Sequence, residues 1–346
     1  MNRKMIPLNK NPKGLLFALC FFVLATLQME AISWNPLQWF RGDDGKERRR
    51  QSYMASPEEQ AIAQEMFKKA QDLAFAGKTG KASEVFEDIS KEYTYTAVAP
   101  RALFNWAKIY ESEHKFKKAF GMYQNIILLY PEYEGFDQVI GAQFELATRI
   151  MEGDREKIWG TIPLFRYYQR AIQFFQVISR NAPYSDYAPL SLMNIALIAK
   201  DLGKEAIAID ALDQLINFYP GHELTPDAYF LLAEVFSDLI EGPGYDQGST
   251  REAISYYEDF LILYPDSQLV TEAEDGLREV NEIYAQSKYQ MGEYYLRHIH
   301  NETAALALYN ETITVAPNSE TAELARQRID QINARTSNVD VIGSNT

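Results

Sequence analysis

The chain has 346 residues, of which 47% are hydrophobic and 24% are charged, so it can form a folded core and general disorder is excluded. Its formal net charge is −14, and its Lys and Arg residues form no continuous basic stripe, which argues against a nucleic-acid partner. With four histidines the chain has few candidates for histidine-based catalysis, and with one cysteine it has no intramolecular disulfide.

Residues 1–33 are predicted to be a signal peptide or an N-terminal anchor. Basic residues precede the apolar run Gly14–Leu27, which is short for a bilayer span and typical of a signal-peptide core. The small residues of the Ala-Ile-Ser sequence that ends at Ser33 predict cleavage after that residue. Two alternatives stay open: an uncleaved anchor, and lipidation of Cys20. Lipidation is disfavoured because Leu19 stands where lipoprotein signals carry a small residue.

Residues 34–55 are predicted to be a linker. Its two tryptophans and the basic run Lys46–Arg50 are also consistent with contact with a membrane surface, so both alternatives stay open. The folded part follows, because Ser56 and Glu59 have the spacing of a capping box, with Pro57 at the first helical position. The first helix is therefore predicted to begin near Pro57.

A four-position pattern recurs along the rest of the chain. It is a small residue with apolar or aromatic residues four, seven and, in most copies, eleven positions later, usually followed by proline. This spacing places all four residues on one helical face. The six copies begin at Ala82, Ala119, Ala171, Ala208, Ala253 and Ala305 and end at Tyr93, Tyr130, Ala182, Tyr219, Tyr264 and Ala316. Upstream helices carry small residues that let paired helices approach closely, at Ala107, Ala147 and Ala233.

Paired helical patterns of this kind are typical of tetratricopeptide repeats, whose period is about 34 residues. The sequence predicts an all-α solenoid of about six helical hairpins over residues 56–335. Insertions at Glu152–Pro163 and Glu241–Gly248 are predicted to be surface loops. After the second loop, Ser249 and Glu252 predict another capping box at the start of the next helix.

The stretch Tyr264–Pro317 contains proline only within its first two and its last two residues. Its apolar spacing predicts one long helix as far as Tyr295, since only Gly276 and Gly292 argue for a break. Beyond the last repeat, residues 336–346 lack periodicity and are predicted to be a disordered tail.

This stretch resembles the C-terminal part of BamD-like proteins, the tetratricopeptide lipoproteins of the outer-membrane β-barrel assembly machinery. Three motifs carry the resemblance: the Tyr-Pro-Asp-Ser helix start at Tyr264, the Glu-Tyr-Tyr end of the long helix at Glu293, and the Ala-Pro-Asn-Ser start at Ala316. The resemblance is strongest over residues 250–325. The chain departs from the family in its defective lipid-cysteine motif and in a longer first half.

The resemblance implies a non-enzymatic scaffold in the periplasm, associated with the outer membrane of a Gram-negative-type bacterium. The implied partners are the β-barrel assembly subunit and unfolded outer-membrane proteins, with no cofactor, metal, nucleic acid or small-molecule substrate. An enzyme is also disfavoured because the sequence has no Gly-rich phosphate loop and no helical metal pair. The alternative is another periplasmic tetratricopeptide adaptor, acting in peptidoglycan or cell-division processes.

One position in the first helices of the repeats carries large apolar side chains: Phe67, Phe104, Phe144, Met193 and Phe230. In tetratricopeptide proteins this position usually lines the concave groove. Arg101 and Lys108 lie near Phe104 in the sequence and can supply positive charge, so a peptide with aromatic side chains and a terminal carboxylate would suit the groove. The alternative is that these side chains pack between helices as core.

A second candidate site follows Glu293. In BamD-like proteins the C-terminal repeats hold the barrel-forming subunit, and a basic residue just after Glu-Tyr-Tyr contributes to the contact. Here Tyr294 and Tyr295 are followed by Arg297 and His298, and either of the two fits the basic position. Arg297 is favoured because a guanidinium group keeps its charge and can hold a carboxylate with two hydrogen bonds. The alternative is that Arg297 is a solvated cation at a helix end.

Overall fold

The computed structural model describes residues 55–153 and 164–343, with side chains described for 55–153 and 167–335. Over these residues the chain forms thirteen α-helices, one π-helical turn and no strand, which confirms the predicted all-α class. The helices are α1 (Pro57–Phe75), α2 (Thr79–Glu92), α3 (Val98–Ser112), α4 (Phe116–Leu129), α5 (Phe136–Met151), α6 (Leu164–Asn181), α7 (Tyr187–Asp201), α8 (Glu205–Phe218), α9 (Thr225–Asp238), α10 (Gly248–Leu263), α11 (Val270–Tyr294), the π-helical turn Tyr295–Ile299, α12 (Glu302–Val315) and α13 (Glu320–Gly343).

Consecutive helices pack as hairpins. The pairs are α1 with α2, α3 with α4, α5 with α6, α7 with α8, α9 with α10, and α11 with α12, and each pair also packs against the next one. The first helix of each pair is called the A helix below and the second the B helix. The final helix, α13, packs against α12 and α11. The prediction of about six hairpins in a tetratricopeptide solenoid is confirmed, and α13 covers the last of them.

The recurring four-position pattern forms the core of the B helices. Its first three positions are almost completely buried in all six copies, from Ala82, Phe86 and Ile89 in α2 to Ala305, Tyr309 and Thr312 in α12. On the A helices the small residues are fully buried as well, at Ala107, Ala147 and Ala233. A small side chain at these points lets the two helices of a hairpin approach each other, so large residues can fill the remaining space.

The tyrosine that ends the pattern links neighbouring repeats. The Tyr130 hydroxyl donates a hydrogen bond of 3.0 Å to the carbonyl oxygen of Thr94, at the corresponding point of the preceding repeat. The Tyr219 hydroxyl donates in the same way to the carbonyl oxygen of Pro183, at 2.7 Å. Each bond satisfies a carbonyl group just beyond the end of the preceding B helix, where backbone acceptors lack helical partners.

The predicted long helix is present as α11, and its two glycines are contact points rather than breaks. A Cβ atom on Gly276 would lie 2.6 Å from the ring of Tyr257, and one on Gly292 would lie 2.8 Å from the ring of Tyr309. Both tyrosines are buried on the neighbouring B helices. Glycine is therefore required where α11 meets α10 and α12 most closely.

The two predicted capping boxes have different outcomes. Ser56 accepts a hydrogen bond from the Glu59 backbone N–H while the Glu59 side chain accepts one from the Ser56 backbone N–H, as predicted. The prediction at Ser249 is wrong, because α10 already begins at Gly248 and its cap residue makes no side-chain cap bond. Instead Asp246 accepts from the Gly248 N–H at 3.1 Å and thereby organises the preceding turn. The predicted surface loop before α10 is confirmed.

The end of the chain also differs from the expectation. Helix α13 continues to Gly343. The predicted disordered tail begins directly after Arg335, so its first residues are helical instead. The segment between those residues contains no proline or glycine, so nothing in it prevents helix propagation. The predicted signal peptide or anchor, residues 34–54 of the linker and most of the Glu152–Pro163 insertion lie outside the described residues. None of the described helices is long and apolar enough to cross a membrane.

Candidate functional site

The predicted aromatic stripe divides into core and surface. Phe67 and Met193 are 1% and 8% exposed and belong to the core. Phe104, Phe144 and Phe230 are partly exposed. The stripe is therefore not a continuous ligand surface, and only its three half-buried rings can contact a ligand directly.

Arg101 explains why Phe67 is covered. The Arg101 guanidinium group lies 4.7 Å from the centroid of the Phe67 ring and also donates a 3.5 Å hydrogen bond to Gln64. The buried face of Phe67 packs against Phe86 at a centroid distance of 5.8 Å. Arg101 thus closes over the ring in a cation–π contact and does not line the groove next to Phe104.

Phe104 and Phe144 do line one open groove, of about 690 Å³, which we call the amino-terminal groove. Helix α3 contributes Phe104 and Lys108, helix α5 contributes Phe144, Thr148 and Arg149, and helix α7 contributes Tyr187. The structure thus brings three of the predicted groove residues together: Phe104, Lys108 and Phe144.

The floor of the amino-terminal groove is aromatic. Phe104 packs against Tyr123 of its own hairpin at a centroid distance of 5.3 Å. Phe144 packs against Phe175 at 5.4 Å and against Tyr187 of the next repeat at 5.2 Å. Because each ring is fixed from behind by a neighbour, the floor is preorganised for an apolar or aromatic side chain.

One edge of the amino-terminal groove carries two cations around a buried carboxylate. Lys108 Nζ lies 3.2 Å and Arg149 NH1 3.6 Å from Glu111 Oε2. The Tyr123 hydroxyl donates a short hydrogen bond to the same carboxylate. Burial, together with this neighbouring negative charge, raises the pKa of Tyr123 well above its usual range. The Lys108 side chain is 41% exposed.

The groove also contains Thr148, Arg149 and Tyr187, which are not among the predicted groove residues. Thr148 follows Phe144 by one helical turn, as Lys108 follows Phe104, so the repeat alignment itself contained a signal for it. Its hydroxyl oxygen is buried and has no hydrogen-bond partner among the described residues. No comparable signal exists for Arg149, because its role depends on Glu111 in the preceding repeat. Carboxylates also line the groove, at Asp137, Glu145 and Glu152.

The second predicted site lies where α11 ends. Tyr294, Arg297 and His298 are exposed, whereas Tyr295 is partly buried and packs against the last core cluster. The Tyr294 and His298 rings lie 5.3 Å apart. The helix changes to π geometry from Tyr295 to Ile299 and ends at His300, which has a left-handed backbone with φ of 56°. Tyr294, Arg297 and His298 are spaced by three and four residues, so they lie on one exposed face at the end of this helix.

Arg297 shares a carboxylate with a second arginine. Its NH2 lies 2.5 Å from Glu293 Oε2, while Arg328 Nε lies 2.7 Å from Oε1 of the same group. The Tyr309 hydroxyl donates to Glu293 Oε1 at 2.7 Å. Partial burial opposes the ionised form of Glu293, but these hydrogen bonds and cations outweigh it and lower the pKa of the carboxyl group. Arg297 remains 61% exposed, so its guanidinium group can also reach a partner.

Metal ligands do not converge in the described part of the chain. Among residues 55–153 and 167–335 there is no group of three or more His, Cys, Asp and Glu side chains that could hold an ion. His298 and His300 are both exposed at the end of the π-helical turn.

Part of the chain is similar in sequence to known proteins. Residues 164–307 match the family described as outer membrane lipoprotein YfiO. BamD, the outer membrane protein assembly factor, of Caulobacter vibrioides is 26% identical over 130 residues, which cover 38% of this chain and 43% of that protein. BamD of Rickettsia prowazekii is 25% identical over 146 residues, covering 42% of this chain and 58% of that protein. The chain thus spans about half the length of the curated relatives it matches.

Among solved structures, a thermophilic tetratricopeptide protein of Thermus thermophilus aligns with 62% of this chain and 98% of its own, at 20% identity and a TM-score of 0.30. The family match begins at residue 164, so the resemblance extends further toward the amino terminus than its motifs indicate. Residues 164–307 are thus similar to the outer membrane lipoprotein family, and the curated relatives of the chain are BamD proteins, which agrees with the resemblance that the motifs predict.

Proposed function

We propose that the protein is a non-enzymatic scaffold in the assembly of outer-membrane β-barrel proteins. The observation that carries the proposal is the similarity of residues 164–307 to outer membrane assembly factors of the BamD type. A repeat solenoid suits this work, because each hairpin contacts only its neighbours and leaves extended surfaces for other polypeptides. The protein would act in the periplasm, associated with the outer membrane, with residues 56–335 as the binding solenoid.

The amino-terminal groove is the proposed site for unfolded barrel proteins. Its half-buried Phe104 and Phe144 rings offer stacking surfaces for an aromatic side chain. The ammonium group of Lys108, whose side chain is partly exposed, lies 5.8 Å from the Phe104 ring centroid, close enough to attract a carboxylate on a peptide whose side chain rests on that ring. An aromatic side chain next to a terminal carboxylate therefore matches both features.

The turn after α11 is the proposed contact with the barrel-forming assembly subunit. Glu293 is bound by both Arg297 and Arg328, and one carboxylate neutralises only one of these two positive charges. Arg297 is the more exposed of the two, with 61% of its side chain accessible against 30% for Arg328. A carboxylate on the partner would complete the charge balance, and Tyr294 would add apolar contact area beside it.

Affinity purification tests this function. The full-length chain, tagged at its C terminus, would be purified from the envelope of its native host, and the bound proteins would be identified by mass spectrometry. Recovery of the large β-barrel assembly subunit is expected. Recovery of peptidoglycan or cell-division proteins alone would contradict the proposal and favour a periplasmic adaptor of another kind. Intact-mass measurement of the same sample would show whether Cys20 carries a lipid or the chain begins after Ser33.

A further inference from the structure

A second groove, larger than the amino-terminal one, lies between the last repeats. It has a volume of about 1260 Å³ and is bordered by α9, α10, the first half of α11 and the turn between α12 and α13. We call it the carboxyl-terminal groove. It does not include the turn after α11 that contains Arg297, so it is not part of the surface proposed above for the assembly subunit.

The floor of the carboxyl-terminal groove is apolar and partly exposed. Phe230, Leu261 and Leu277 all line it and all pack against the same core cluster, which includes the buried Tyr257 and Phe260. The Phe230 ring is held by Tyr257 and Phe260 at centroid distances of 6.1 Å and 5.8 Å. The floor is therefore fixed in place, and it leaves apolar side chains in contact with water where a ligand side chain could cover them.

The walls of this groove are acidic. The carboxylates that line it are Glu234, Glu272, Glu274, Asp275, Glu279 and Glu282, against a single cation, Arg278. Arg278 is already paired with Asp275 at 2.5 Å, and Glu234 is paired with Lys200 at 2.7 Å from outside the groove.

Several of these carboxylates have no cationic partner. No ion pair joins Glu272, Glu274 or Glu279 to any described residue, so their charges are uncompensated. Glu282 is held in place by the Thr321 hydroxyl at 2.5 Å and the Gln286 amide at 3.0 Å. Burial opposes its ionised form, but these hydrogen bonds outweigh that effect and lower the pKa of Glu282, so it stays charged.

We propose that the carboxyl-terminal groove binds a cationic segment of a partner protein, in which Lys or Arg residues flank an aliphatic or aromatic side chain. The apolar side chain would cover Phe230, Leu261 and Leu277, and the flanking cations would pair with Glu272, Glu279 and Glu282. Charge complementarity selects this occupant, since a segment with carboxylates would meet the uncompensated like charges of α11. The proposal does not depend on the function assigned to the amino-terminal groove.

Binding of designed peptides to the full-length protein tests the proposal. The probe is a short fluorescein-labelled peptide of Leu and Lys with the pattern of an amphipathic helix, measured by fluorescence anisotropy. One comparison peptide carries Glu in place of Lys, and another carries Ser in place of Leu. Saturable binding is expected for the Leu/Lys peptide alone, and high salt should weaken it.

The matched variants locate the site. Glu272→Gln with Glu279→Gln removes two exposed charges from the groove and should weaken binding of the Leu/Lys peptide by about tenfold. Glu65→Gln with Glu84→Gln removes the same charge from α1 and α2, at exposed residues, and should leave binding unchanged. Equal loss in both double variants would show attraction to the overall negative charge and would overturn the proposal. Absence of saturable binding, or equal binding of the Leu/Glu peptide, would overturn it as well.

Discussion

Phe104 and Phe230 occupy the same position in two repeats, and each lines a groove. Both rings pack against the B helix of their own hairpin, Phe104 on Tyr123 at 5.3 Å and Phe230 on Tyr257 at 6.1 Å. The residue one helical turn later is Lys108 in the first groove and Glu234 in the second.

This comparison distinguishes two positions of the repeat: one whose side chain packs the hairpin, and one whose side chain can contact a ligand. Packing of the hairpin requires a large apolar side chain at the first position, because it closes the space between the A and B helices. The position one turn later lies at the groove edge, where it carries a cation in one repeat and a carboxylate in the other. Further carboxylates on α11 then make the carboxyl-terminal groove acidic throughout. The two grooves of the same scaffold therefore differ in the charge at this edge position.

The largest expected effect separates core from groove within the aromatic stripe. Phe67→Ala should lower the free energy of unfolding by about 3–5 kcal/mol, because the ring is 1% exposed and its loss leaves a cavity. Chemical denaturation followed by circular dichroism measures this change. Phe75→Ala on the same helix is the control, since that ring is 97% exposed and its removal should change stability by less than about 0.5 kcal/mol. Similar losses for both variants would contradict the assignment of Phe67 to the core.

The next effect concerns the turn after α11, which lies outside both grooves. Arg297→Glu should weaken the complex with the β-barrel assembly subunit by about 2–5 kcal/mol, because a carboxylate would replace the cation that faces the partner. The fold should persist, since Arg328 and Tyr309 still hold Glu293. Quantitative pull-down with the purified subunit measures the loss. Arg251→Glu changes charge equally at another exposed residue, and an equal loss in that variant would show that Arg297 makes no specific contact.

The third effect tests the aromatic floor of the amino-terminal groove. Phe104→Ala and Phe144→Ala should each weaken binding of an aromatic-ended peptide by about 1–3 kcal/mol, because each removes a surface that the peptide side chain covers. Stability should fall less than in Phe67→Ala, since both rings are only half-buried. Anisotropy titration and denaturation of the same samples measure the two quantities. Phe218→Ala, at a ring that is 71% exposed outside the groove, should bind the peptide normally.

The sequence predicts features that depend on residues within one helix better than features that depend on contacts between repeats. The six hairpins follow from the spacing of residues such as Ala119 and Tyr123 within one helix, so the repeat pattern was sufficient to predict them. The division of the stripe was not predictable in this way. Phe67 is covered because Arg101, from the next repeat, lies over its ring, and that contact depends on the packing of one repeat on another.

The charges in the grooves also depend on contacts between repeats, which the sequence pattern does not predict. Lys108 was predicted to supply positive charge, but its balance depends on Glu111 and on Arg149 of the following repeat. The carboxyl-terminal groove was not predicted, since its walls come from A helices, a B helix and a turn that are distant in sequence. The tail was misassigned for a different reason: residues without apolar periodicity can still continue a helix that earlier packing has started, as α13 does.

The smallest expected effect isolates the charge at the edge of the amino-terminal groove. Lys108→Gln should weaken an aromatic-ended peptide with a free carboxylate by about 0.5–1 kcal/mol, the range of a solvent-exposed ion pair. The same peptide with a C-terminal amide should bind the variant and the unchanged protein equally, because it has no charge for Lys108 to attract. Glutamine retains a hydrogen-bond donor and most of the side-chain length, so the packing against Phe104 changes little.

Titration of both peptides against both proteins gives a double-mutant cycle, whose coupling energy measures the contact between Lys108 and the carboxylate alone. Lys69→Gln is the matched control, since it removes one exposed cation from α1, outside the groove, and should weaken neither peptide. Equal weakening of the acid and the amide by Lys108→Gln would mean that the lysine acts by shaping the groove through Glu111. In that case the comparison with Glu234 would describe packing, and the sign of the charge at this position would not select the ligand.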